Sequence, residues 1–166
     1  MNTITAQLFA ALIFVLTAAG AHAQGVPAEV EIIPGGPDAH KHLAEGETHD
    51  YGTPFPTSGP HSPHWTKNGF YGEVQPPVQL VHALEHGNIV IYYDKPSQTV
   101  LSRLHKWAET YTGQWDGIIV TPSPGLGTGI VLTAWERRLI LPRYDKTKVY
   151  AFIDAFRGRG PEHPVR

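Results

Sequence analysis

The spacing of apolar side chains divides the second half of the chain into helices and strands. Apolar residues recur every three or four positions in 97–112 and again between Asp145 and Gly158, which predicts two amphipathic helices. Apolar β-type runs at 88–93, 117–121 and 129–141 predict three strands. We expect the last two strands to form a hairpin around the Gly/Pro-rich loop between them.

A shorter helix is predicted between Pro77 and Gly87. Proline suits the first helical position, and glycine is favoured just after the last turn. In this helix His82, Glu85 and His86 share one face, because residues three and four apart are neighbours on a helix surface. In an extended segment the two imidazoles would be about 13 Å apart, at about 3.3 Å per residue, and unable to share an ion.

The first half of the chain has no long amphipathic pattern. Residues 1–23 are predicted to be an export signal, because the apolar run Leu8 to Ala19 precedes the small-x-small site Ala21-His22-Ala23. That run is too short to span a bilayer. Residues 24–50 are predicted to form an irregular arm, and 51–71 a loop whose prolines and aromatic side chains pack against the core.

These elements predict one α+β domain over residues 51–166. Its small, mostly antiparallel sheet would be covered by two or three helices and preceded by the irregular N-terminal arm. The predicted signal indicates a periplasmic or secreted protein, with no membrane span after its removal. The sequence contains no cysteine, so such an exported fold would depend on packing alone.

Charge and composition narrow the possible partners. The chain has 13 Lys+Arg and 15 Asp+Glu, a formal net charge of −2, which argues against nucleic acid and anionic membranes. Without cysteine, and with Met1 as its one methionine, the chain has no thiolate site and no methionine-lined copper(I) site. Imidazoles are left as the main candidate ligands.

Two imidazoles four residues apart on a helix are a standard pair of ligands for one divalent metal ion. We therefore predict that His82 and His86 bind Cu(II) or Zn(II), with His61 as the third ligand because rigid turns flank it. His64 is a weaker option for that place. Glu85 would orient a ligand or act as a fourth one. The predicted role is carriage, sequestration or delivery of the metal, possibly to another exported protein.

Two other functions remain open. The segment His82–His86 also matches the HxxEH pattern of inverted zinc peptidases, in which Glu85 would be the general base acting on a zinc-bound water. Alternatively, the histidines only tie the loop to the sheet of an interaction module that binds no metal. Four further histidines are interpreted as residues of a surface linker or a mobile tail; they are His40, His42, His49 and His163.

Three motifs resemble those of the bacterial domain-of-unknown-function family thirty-one-oh-five. They are TSGPH at 57–61 with Trp65 and Gly69-Phe70-Tyr71, VHALEHG at 81–87 before a tyrosine-rich strand, and Leu132-Thr133-Ala134-Trp135. The resemblance spans residues 50–157. It implies an exported or membrane-anchored protein and names no reaction. It supports treating His61, His82, Glu85 and His86 as one unit, since these positions match the motifs.

Overall fold

The computed structural model describes residues 25–166, so the predicted export signal lies outside the described residues. These residues form three helices and a six-stranded sheet. The helices are α1 (Pro77–His86), α2 (Gln98–Thr110) and α3 (Lys146–Phe156). The strands are β1 (Glu31–Ile32), β2 (Gly69–Phe70), β3 (Ile89–Tyr93), β4 (Ile118–Pro122), β5 (Ile130–Ala134) and β6 (Arg137–Leu141).

The sheet is mixed, with the strand order β1-β6-β5-β3-β4-β2. The pairs β1–β6, β5–β6 and β3–β5 are antiparallel, while β3–β4 and β2–β4 are parallel. The parallel pair β3–β4 is joined through α2, as parallel neighbours require a crossover connection. The predicted α+β fold, a mostly antiparallel sheet with helices on it, is confirmed.

The predicted hairpin between 117–121 and 129–141 is wrong. Strand β3 lies between β4 and β5, so these two strands do not pair. The hairpin instead forms inside 129–141, where β5 and β6 pair across a turn at Trp135 and Glu136. That turn contains no glycine or proline, and Glu136 itself takes a positive φ of 58°. The usual sequence signal for a tight turn is therefore missing.

Both faces of the sheet are covered. On one face, Ile89 and Ile91 of β3 pack with Leu104 of α2 and Phe152 of α3. On the other face, Val90 and Tyr92 join the apolar side of α1, together with Phe55 and Trp65 from the long loop; that side is formed by Leu80, Ala83 and Leu84. Because β3 is buried on both faces, its sequence is a continuous apolar run rather than an alternating one.

Local signals fix most helix ends. Helix α1 has proline in its first turn and Gly87 at its C-terminus, where φ is 106°. The Asp145 side chain accepts hydrogen bonds from two backbone amides in the first turn of α3. Ser97 caps α2 in the same way, but α2 ends at Thr110, before the glycine expected to stop it at 113.

The N-terminal arm lies against the domain. Its two-residue strand β1 pairs with β6 at the sheet edge. Further along, the His61 amide donates to Lys41 O at 2.9 Å, and the Leu43 amide donates to His61 O at 2.7 Å. This pairing holds the arm next to the TSGPH loop and brings His42 beside His61.

Candidate metal-binding site

Helix α1 presents three polar side chains to the interior on the side away from the sheet. His82, Glu85 and His86 are all buried, although Leu80 and Leu84 of the same helix make its contact with the sheet. The TSGPH loop, the arm and the C-terminal residues supply the contacts to the polar side. Such buried polar groups require specific partners, because an unpaired one costs free energy.

His61 is fully buried, with 0% of its surface exposed. Its Nδ1 lies 2.8 Å from Gly59 O, and because a carbonyl oxygen only accepts, Nδ1 is the donor. Gly59 makes this geometry possible with a φ of 122°, a conformation that other residues rarely adopt. The hydrogen bond leaves Nε2 as the atom of His61 that is free to bind a proton or a metal ion.

His82 is oriented in the same manner. Its Nδ1 donates to Ser62 O at 2.7 Å, so its Nε2 is also the free ring atom. Burial lowers the pKa of His82, and nearby imidazoles act in the same direction, which keeps the ring neutral at pH 7. Metal-binding histidines commonly donate their second nitrogen to a carbonyl or carboxylate, which fixes both tautomer and ring orientation.

Four side chains form what we call the inner group: His42, His61, His82 and Glu85. Each offers one ligand atom, and these four atoms lie within 4.8 Å of one another. The three imidazole rings are mutually 5.0 Å apart between centroids. Three members of the group are buried, and His42 opens it to solvent. Three nitrogens and a carboxylate oxygen are a suitable ligand set for tetrahedral Zn(II) or for Cu(II).

Glu85 is held between two imidazoles. Its Oε2 lies 3.0 Å from His61 Nε2, and its Oε1 contacts His40 Nδ1. Burial alone would raise the pKa of Glu85, but the contacts with His61 and His40 outweigh it and lower the pKa to about 2. The carboxylate is therefore ionised at neutral pH, as a metal ligand or an orienting group must be.

The contact between His61 and Glu85 is close without being a well-directed hydrogen bond. Among the described residues, nothing satisfies His61 Nε2 by hydrogen-bond geometry. Two electron-rich atoms 3.0 Å apart repel each other unless a proton or a cation lies between them. Burial would lower the pKa of His61, but Glu85 and Gly59 outweigh it and raise that pKa. The negative charge of Glu85 beside His61 Nε2, which favours a bound proton, would also favour a bound metal ion.

A second set of ligands, the outer group, contains His82, His86 and Glu162. Glu162 Oε2 lies 3.0 Å from His86 Nε2 and 3.9 Å from His82 Nε2. His86 is only 1% exposed and packs against the rings of Trp65 and Trp115, with centroids at 4.6 and 4.1 Å. Burial and the neighbouring His82 lower the pKa of His86 to about 4, so this ring is neutral at pH 7.

A family model described as "Protein of unknown function (DUF3105)" matches residues 42–166. The chain belongs to this family. The matched part of the DUF3105 chain begins at His42 and includes every member of the inner and outer groups. A search of curated proteins and a search of solved structures each returned no match. Within residues 25–166, no helix has the length and apolar character that crossing a membrane requires.

The structure divides the three predicted ligands of the DUF3105 chain between the two groups. His61 and His82 meet in the inner group, together with Glu85, whereas His82 and His86 meet in the outer group. His82 is the residue common to both.

Sequence reasoning missed three residues at the site: His40, His42 and Glu162. The two arm histidines lie in a segment without periodicity, and only its pairing with the TSGPH loop brings them to α1. The C-terminal segment, expected to be a mobile tail, instead brings the carboxylate of Glu162 to His86. His163 packs against Trp115, and His64 pairs with Glu45 on the surface.

Proposed function

We propose that this DUF3105 protein is an exported binding protein for one divalent metal ion, Cu(II) or Zn(II). Its role would be carriage or sequestration of the ion in the periplasm or outside the cell, or delivery to another exported protein. The inner group is the proposed site. Imidazole and carboxylate ligands suit both ions, and intrinsic affinity favours copper whereas availability can favour zinc.

One observation carries this proposal. His61 and His82 each donate Nδ1 to a backbone carbonyl, so each keeps Nε2 as its free ring atom, and His61 Nε2 lies 3.0 Å from the ionised Glu85. Holding two buried imidazoles and an ionised carboxylate in this arrangement costs desolvation energy, and a bound cation would offset that cost. An interaction module that binds no metal does not need these buried polar groups, because an apolar contact would pack the loop at least as well.

The hydrolase hypothesis is less favoured by the surroundings of Glu85. A general base must reach a water molecule with a free oxygen. Here one carboxylate oxygen contacts His61 and the other contacts His40. These contacts support an orienting or ligand role for Glu85. If hydrolysis of a p-nitrophenyl ester required zinc and disappeared in Glu85→Gln, the protein would be a hydrolase instead of a carrier.

The test is metal titration of the chelator-treated protein, with Zn(II) and Cu(II) added separately. We expect one equivalent to bind. At a free metal concentration 100 times the dissociation constant, binding should add about 2.7 kcal/mol to the free energy of unfolding. His82→Gln should remove both binding and stabilisation. The matched control is His64→Gln, which alters an exposed imidazole paired with a carboxylate outside both groups.

Wild-type protein that binds neither ion, with a melting temperature unchanged by either, would overturn the proposal. An equal loss of binding in His64→Gln and His82→Gln would also contradict it, because it would indicate adventitious binding by surface histidines.

A further inference from the structure

The C-terminal residues are fixed to the end of α1 through the backbone. The Gly158 amide donates to Gly87 O at 2.8 Å, and the Glu162 amide donates to Glu85 O at 3.3 Å. The approach is so close that a Cβ atom on Gly160 would lie 2.2 Å from Glu85 O. These main-chain contacts therefore fix the position of Glu162, which is not a free residue of a mobile tail.

From this position the Glu162 carboxylate faces two buried imidazoles. Its Oε2 is 3.0 Å from His86 Nε2 and 3.9 Å from His82 Nε2, while 40% of its own side chain is exposed. The other ring nitrogen of His86, Nδ1, is buried and finds no hydrogen-bond partner among the described residues. Two imidazoles and one solvent-accessible carboxylate are a three-ligand set that leaves a coordination position open.

The two groups share one residue, His82. Because Nδ1 of His82 is committed to Ser62 O, only Nε2 of His82 can bind a metal ion, in either group. Zinc–nitrogen bonds are about 2.0–2.1 Å long and point along the lone pair, so one imidazole nitrogen serves one ion at a time. Inner and outer binding therefore exclude each other.

We propose that His82, His86 and Glu162 form a second position for the same divalent ion, alternative to the inner group. An ion moves between the two positions by exchanging ligands while His82 stays bound. Each position has one exposed ligand, His42 in the inner group and Glu162 in the outer one. The inner position has four ligands, whereas the outer position has three and leaves a coordination position at which an acceptor can bind the ion. This inference rests on the proposed metal-binding function and adds a transfer step to it.

The test uses copper(II) sulfate and electron paramagnetic resonance of the chelator-treated protein. With one equivalent of copper, wild-type protein should give two overlapping Cu(II) signals. Glu162→Gln should retain one equivalent and give the inner signal alone, and His61→Gln should give the outer signal alone. Glu162→Gln should also slow transfer of copper to an added chelator by tenfold or more. Because Glu162 is half-exposed, its amide variant is expected to fold normally.

Glu45→Gln is the matched control, since Glu45 is another exposed carboxylate that contacts an imidazole, His64, at 2.9 Å. It should leave the spectrum and the transfer rate unchanged. Two equivalents bound per wild-type chain would overturn mutual exclusion. Tight binding of one equivalent, with identical spectra and transfer rates for wild type and Glu162→Gln, would remove the second position and leave the proposed function standing. Absence of copper binding by wild type would remove both.

Discussion

The histidine His86 should make the metal-free protein sensitive to mild acid. Burial and the adjacent His82 lower its pKa from 6.5 to about 4 in the folded protein. The folded state therefore binds fewer protons than the unfolded state between these values. The contribution of His86 to the free energy of unfolding is fully present above about pH 6.5 and is lost progressively as the pH falls toward about 4.

The size of the effect follows from the difference in pKa. A difference of about 2.5 between the unfolded and folded states, at about 1.36 kcal/mol for each pKa unit, gives about 3 kcal/mol. Glu85 affects stability in a different pH range, because its pKa is about 2 in the folded protein. Its contribution to the free energy of unfolding is lost only below about pH 4.5. The raised pKa of His61 reduces the stability of the folded state only as the pH rises above about 6.5. The lowered pKa of His82 reduces stability as the pH falls, in the same direction as that of His86.

The assay is urea unfolding followed by tryptophan fluorescence, in chelator, at several values between pH 7 and pH 4. We expect the free energy of unfolding of wild type to fall across this range. In His86→Gln the fall should be smaller by about 3 kcal/mol, because the titrating group is gone. His64→Gln is the control and should follow wild type. A fall of equal size in wild type and His86→Gln would refute the reasoning.

Two further predictions concern stability. Gly160→Ala should lower the free energy of unfolding by about 1–3 kcal/mol, because its Cβ would overlap Glu85 O at 2.2 Å. Gly36→Ala, where a Cβ meets no atom within 4 Å, should change it by less than about 0.5 kcal/mol. Phe152→Ala should cost about 3–5 kcal/mol in chemical denaturation, because Phe152 is fully buried between α3 and the sheet. Tyr150→Ala on the same helix should cost less than about 1 kcal/mol, since Tyr150 is exposed, and equal losses for the two variants would contradict this packing.

The parts of the site that the sequence predicted are local. Pro77 marks the start of α1, because the first turn does not use the backbone amide that proline lacks. Gly87 marks its end, because glycine adopts a positive φ at no steric cost. Once that helix is given, the spacing of His82, Glu85 and His86 places them on one face. His61 could be selected as well, because the residues around it restrict the backbone of its loop.

The arrangement of the strands was harder to predict, for a topological reason. Apolar runs identify β3, β4 and β5 as strands, but the same runs are compatible with several pairings. The insertion of β3 between the other two depends on the crossover through α2 and on burial of both its faces. The turn at Glu136 carries no local signal, because tertiary contacts hold a residue other than glycine at positive φ.

By itself, the sequence determined the class of fold, the helix that carries two imidazoles, and the loop that carries a third. Only the tertiary structure decided which side chains surround His82. His42 arrives through pairing of the arm with the TSGPH loop, and Glu162 through backbone contacts with the end of α1. Both lie far from α1 in the chain and follow no periodic pattern. Helical spacing is fixed by the covalent geometry of neighbouring residues, whereas such long-range approaches depend on how the whole chain packs.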